Sequence, residues 1–229
     1  MPELLQIAIL PICLTLGAYQ IGLWCQKKAK SAIANPILIA VVLILLFMLA
    51  TGLSNQTYQT GTKLFTWLLT PATVCLAIPM YQQLQVLKKN LPAIVVGVAG
   101  GAISCLFMVL GFGLLFRFDP ALTASLLPKS VTSAIGVPLS EMAGGISAIT
   151  TTVIVLTGIV ANIFGTLCCK IFGLKDPISQ GVALGTSGHV IGTAKANELS
   201  PLTGAVSSLS LVTAGLLTAV IFPLVMKLL

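Results

Sequence analysis

The chain has 229 residues, 57% hydrophobic and 7% charged, with twelve Lys and Arg, five acidic residues and one histidine. A mean hydropathy of +1.07 excludes a soluble globular domain and points to a polytopic all-α integral membrane protein. The formal charge of +7 comes from residues scattered through short loops, so it reads as topology signals facing membrane lipid, with no nucleic-acid surface.

Runs without Asp, Glu, Lys, Arg or His cover residues 4–24, 33–53, 64–87, 91–116, 142–169 and 199–226. Each is long enough to cross about 30 Å of hydrocarbon, so six full transmembrane helices are expected. Two weaker, more polar segments, 120–141 and 177–198, are expected to span or re-enter. The first run is preceded by Met1-Pro2-Glu3 and followed by basic residues, the reverse of a cleaved signal, and is read as a retained helix. Lys27, Lys28 and Lys30 after the first run, and Lys88 and Lys89 after the third, place those loops in the cytoplasm and the amino terminus outside. In the third run Pro71 and Pro79 remove backbone donors, which leaves a kinked helix or a discontinuous one. The cysteines (13, 25, 75, 105, 168 and 169) show no C-x-x-C or Cys/His spacing; they read as apolar fillers, with no metal and no cofactor expected.

The two polar segments resemble each other. Each follows an Asp-Pro (Asp119-Pro120, Asp176-Pro177) and precedes a Ser/Thr-dotted apolar run. With Ile135-Gly136 laid on Ile191-Gly192, Thr157 falls on Thr213. The organisation expected is a scaffold of four spans over 1–117, then a duplicated region over 118–229 made of units 118–174 and 175–229. If 120–141 dips in and returns, Lys170 and Lys175 become cytoplasmic and the two units form an inverted repeat, a transporter-like plan with a site near the midplane. Glycine-broken polar backbone at that depth survives only where protein or water satisfies it.

Ionisable residues in such segments usually face an interior or water. Lys129 opens the run Ser130, Thr132, Ser133, a cation beside backbone N–H groups that suits an anion. Thr186, Ser187, His189, Gly192 and Thr193 are the matching candidates on the second segment. His189, Glu198 and Glu141 are candidates for a coupling proton. The bland alternatives are a satisfied structural histidine and two glutamates at the water interface. Most hydroxyls on the two following helices, and Gly97, Gly100 and Gly101, read as close helix packing. Catalysis lacks its parts: there is no phosphate loop, no H-E-x-x-H and no serine paired with a base, so no enzyme is expected.

These residues resemble the LrgB/CidB family of bacterial membrane proteins along nearly the whole chain. The resemblance is carried by Asn35-Pro36, Thr51-Gly52, Pro71-Ala72, Pro79-Met80-Tyr81, Leu127-Pro128-Lys129-Ser130-Val131-Thr132, Gly188-His189, Gly192-Thr193, Glu198, Gly204-Ala205 and Ser207-Ser208-Leu209. The Pro-Lys-Ser-Val-Thr element is the specific one. The chain departs from the family pattern at Ser133-Ala134, where Thr-Pro is common, and at Gly188, where Ser is common. The resemblance implies the bacterial cytoplasmic membrane, a small LrgA/CidA-like membrane partner, and a role in murein hydrolase control or cell lysis. It also implies kinship with transporters of glycolate, glycerate and pyruvate. The residues themselves agree better with transport than with a lytic pore; a secondary transporter or facilitator of small carboxylates is the expected function, and a homodimer the expected assembly. The alternative is a holin/antiholin-like regulator.

Overall fold

A computed structural model describes residues 2–29 and 35–227, and these form eleven helices joined by short connections. The chain divides into two compact units, Met1–Cys75 and Leu76–Leu229.

The first unit holds α1 (Pro2–Ala29), α2 (Pro36–Thr51), α3 (Asn55–Gly61) and α4 (Lys63–Cys75). Asn35 caps α2, its side-chain oxygen accepting from Ile37 N at 2.9 Å and Leu38 N at 3.2 Å, and Pro36 takes the first helical turn where no donor is needed. Gly52 ends the helix at φ 68°. These two signals hold α2 to 16 residues. That is about 24 Å, shorter than the expected second crossing. Lys30 of the first basic loop lies outside the described residues. Thr15 and Tyr58 join α1 to α3 through hydroxyls 2.8 Å apart.

The third apolar run is interrupted at Leu76, so α4 ends at Cys75 and a separate α5 (Ala77–Gln82) follows. Among the described residues, four helices are long and apolar enough to cross a membrane: Ile9–Ala29 within α1, α6 (Leu84–Leu115), α9 (Ser147–Ile171) and α11 (Pro201–Met226).

The second unit, α5 to α11, contains two helical hairpins. α7 (Pro120–Leu126) and α8 (Ser133–Met142) are joined by the turn 127–132. α7 returns along the end of α6, where Thr123 closes on Gly113. α8 runs back along the start of α9: Gly136 faces Ile154, and the hydroxyls of Ser140 and Thr150 lie 2.7 Å apart. Ser125 Oγ accepts from Ile146 N at 2.7 Å, tying α7 to the N-cap residue of α9.

α10 (Pro177–Leu199) folds back on itself at His189, whose φ of 41° and ψ of −133° are not helical. Its first half runs parallel to α6, with Gly97 against Val182 and Gly101 against Thr186. Its second half returns along α11, through Thr193 to Ser207 at 2.9 Å and Asn197 to Gly204.

The two hairpins repeat contacts at an offset of 56 residues, the separation of Gly136 from Gly192. A Cβ at Gly136 would lie 3.2 Å from the carbonyl oxygen of Pro128, and one at Gly192 would meet that of Leu184, the equivalent residue. Ile135 packs on Gly215 of α11, and its equivalent Ile191 packs on Gly158 of α9, one position away from the equivalent of Gly215. α6, which the sequence grouped with the scaffold, packs here against α10 and α11 through Leu87, Ile94, Val98, Ala205 and Val206.

Candidate functional site

The tips of the hairpins border a cavity of about 530 Å³ between α6, α9 and the first half of α10. Lys129 and Ser130 reach it from the first tip, and Thr186 and Ser187 from the second. Ser130 Oγ lies 3.1 Å from Cys105 Sγ, ten residues before the end of α6. A rise of 1.5 Å per residue puts that point about 15 Å along from the end of the helix. Thr186 is nine residues into α10, about 14 Å from its start at the opposite end of the unit. The tips thus converge about 14–15 Å in from the helix ends named.

The site is cationic and hydroxyl-bearing at its deep end and apolar elsewhere. Lys129 is half-buried, its ammonium 3.5 Å from Ser130 Oγ, and no carboxylate pairs with it among the described residues. Thr186 is 7% exposed, and its hydroxyl is the buried side-chain polar atom without a hydrogen-bond partner among the described residues. Its neighbours Ser187 and Thr193 bond back to carbonyls four residues earlier, at 2.6 and 2.8 Å; Thr186 does not. An unpaired buried hydroxyl carries a desolvation penalty of about 1–3 kcal/mol that a ligand atom can remove.

The cavity extends along α9 from Thr157 to Phe172, just past the last helical residue, and so reaches the end of the unit where α10 begins. Toward the other end it stops at the tips. Only a void of about 10 Å³ separates Pro128, Ser130 and Val131 from Thr186, less than one water requires. Beyond it Leu106, Val109, Leu110, Leu127, Phe222 and Val225 form a packed apolar cluster.

The other expected site residues stand apart from the cavity lining. Thr132 precedes α8 as its N-cap without a side-chain cap bond, and Ser133 opens that helix. His189 is 5% exposed, its Nε2 2.9 Å from the carbonyl oxygen of Ile154. A carbonyl only accepts, so Nε2 carries the hydrogen. Gly192 is pressed on Leu184, and Thr193 bonds Ser207. Glu141 is exposed and accepts from Ser147 Oγ at 2.5 Å; Glu198 is exposed and pairs with Lys195 at 2.7 Å.

Two walls of the cavity are built from residues that the sequence does not assign to a site. Gly97, Gly101, Ser104, Cys105 and Met108 lie on one face of α6, and Thr157, Ala161, Phe164, Gly165 and Cys168 on one face of α9. The usable signal is the i, i+4, i+7, i+8 spacing of small residues on α6, which also fits plain helix packing.

The LrgB-like family matches residues 15–228. Antiholin-like protein LrgB of Bacillus subtilis (strain 168) is 35% identical over 218 residues, 95% of this chain and 94% of that protein. No solved structure matches the chain. A match over nearly the full length establishes that this multi-pass membrane chain belongs to the LrgB-like family.

Proposed function

We propose that the chain is a secondary transporter or facilitator of small carboxylates, of the pyruvate, glycolate and lactate class. The observation that carries the reading is the convergence of Lys129 and Ser130 from one hairpin with the unpartnered hydroxyl of Thr186 from the other at one cavity. The Lys129 ammonium would hold the carboxylate, and Ser130, Thr186 and Ser187 would bond its remaining oxygens. His189, Thr193, Gly192, Thr132 and Ser133 support the tips from behind, and Glu141 and Glu198 serve at the water interface.

Three features support an inverted repeat of 118–174 and 175–229. The contacts Gly136 to Pro128 and Gly192 to Leu184 are equivalent, and so, within one position, are Ile135 to Gly215 and Ile191 to Gly158. Ser130 and Thr186, equivalent at the same offset, flank one void, as residues beside a pseudo-two-fold axis do. Both hairpins are re-entrant in this reading, and α2 with the α4–α5 run completes six crossings.

The charges orient the unit. Lys88, Lys89, Lys170, Lys175 and Lys195 lie toward the end where α6 begins and α9 finishes, whereas Arg117 and Lys227 lie toward the other. The positive-inside rule makes the lysine-rich end cytoplasmic, in a bacterial inner membrane with the amino terminus outside. The cavity then opens to the cytoplasm while the cluster around Leu127 and Phe222 seals the outer path. Open on one side and sealed on the other, it matches one state of an alternating-access carrier. The proposal includes a small LrgA/CidA-like partner and a homodimer.

Uptake of labelled pyruvate into proteoliposomes, with and without a pH gradient, tests the reading. Saturable uptake supports it, and absence of flux from folded protein refutes it. The name of the Bacillus subtilis relative favours a second reading, an antiholin-like regulator of murein hydrolase activity and lysis. Under that reading Lys129→Ala leaves the lysis phenotype unchanged, whereas changes at a partner interface alter it.

A further inference from the structure

We propose that His189 is a positioning residue: its ring, seated against Ile154 and Gly158 of α9, anchors the tip of the second hairpin and so fixes Thr186 and Ser187 at the cavity. The proposal rests on the transport reading only for its effect on solute; the anchoring itself stands on the geometry.

The backbone at His189, φ 41° and ψ −133°, lies close to the first central position of a type II′ turn, where glycine is the usual residue. A side chain there strains the backbone, and this one is packed. Nε2–H donates to Ile154 O at 2.9 Å, and the ring lies so near α9 that a Cβ at Gly158 would stand 2.7 Å from its Cε1. The rest of the tip is gripped by the same helix. Asn162 Nδ2 donates to Ile191 O at 3.1 Å, and Gly188 closes on Ala161. Ile154, Gly158 and Asn162 recur every four residues, a single stripe of α9 that faces the tip. His189 also presents its carbonyl to Thr193 Oγ1 at 2.8 Å, which joins the returning half of the hairpin to the same point. The ring does not line the cavity, so it acts on a solute only through Thr186 and Ser187, three and two residues away.

The test compares wild type with His189→Gly, His189→Gln and Asn162→Ala, using amide hydrogen exchange over residues 186–192 and the pyruvate KM and Vmax in proteoliposomes. Glycine relieves the backbone but removes the ring. Loss of one buried hydrogen bond and its packing should speed exchange at the tip by about tenfold and raise KM by a similar factor, with Vmax little changed. Glutamine, which restores a donor of similar reach, should recover much of both, a rescue that a purely backbone role would not give. Exchange and KM at wild-type values in His189→Gly overturn the proposal. Where that variant does not fold, Asn162→Ala decides: a faster tip supports the anchor, and an unchanged tip overturns it. Absence of pyruvate flux in wild type would sink the transport reading alone, since exchange at the tip still judges His189.

Discussion

Ser130 and Thr186, 56 residues apart and carried by different hairpins, both face the same cavity and the same small void between the tips. Under the proposed function, a solute held there would touch one hydroxyl from each hairpin. Because the Thr186 hydroxyl has no partner among the described residues, Thr186→Val should leave the unfolding temperature unchanged or slightly raised. The same change should weaken pyruvate binding by several-fold, on the order of 1 kcal/mol. A thermal scan and a binding isotherm on the same preparation check both signs.

Neighbouring glycines of α6 supply a paired comparison. A Cβ at Gly101 would lie 2.8 Å from Thr186 Cγ2, whereas one at Gly100 would meet nothing within 4 Å. Gly101→Ala should displace the second tip and destabilise the protein by about 1–3 kcal/mol. Gly100→Ala should be neutral or stabilising by up to about 1 kcal/mol through backbone entropy. Denaturation midpoints in detergent give the comparison.

The first hairpin depends on Ser125, which is fully buried and accepts the backbone N–H of Ile146. Ser125→Ala leaves that N–H unpaired and should lower stability by about 1–3 kcal/mol. Exchange at the Ile146 amide should rise with it.

Much of this architecture is legible in the residues. Asp119-Pro120 and Asp176-Pro177 are N-caps followed by proline in the first turn, and both start the helices expected there. Lys129, Ser130, Thr186 and Ser187 are visible because polar residues beside Pro128 and Gly188 stand out against an apolar chain, and all four meet at the cavity. The fate of His189 is not legible. Its ring is committed to a carbonyl 35 residues away, a contact that no local spacing announces. The short α2 follows from Asn35 and Gly52, two caps inside a longer apolar run, and hydropathy alone does not register caps. The α6 and α9 walls escape a sequence reading because lining a cavity and packing a helix need the same small residues.

Native cysteines report access to the cavity. Cys168 is exposed in the part of the lining near the start of α10, and Cys105 sits beside Ser130 at the tips. A membrane-impermeant anionic thiol reagent applied from the cytoplasmic side should modify both, and pyruvate should slow the reaction at Cys105 by several-fold while sparing Cys168. Mass spectrometry of the labelled peptides reads the difference.

The most direct measurement is equilibrium binding of labelled pyruvate to purified wild type, Lys129→Ala and Lys129→Arg. Wild type should bind saturably. Removing the Lys129 ammonium deprives the carboxylate of a charge-assisted hydrogen bond, so binding to the alanine variant should weaken by roughly tenfold or more. Arginine, which keeps the positive charge, should retain part of the affinity. Identical isotherms for wild type and Lys129→Ala, or no binding to folded wild type, would contradict the account.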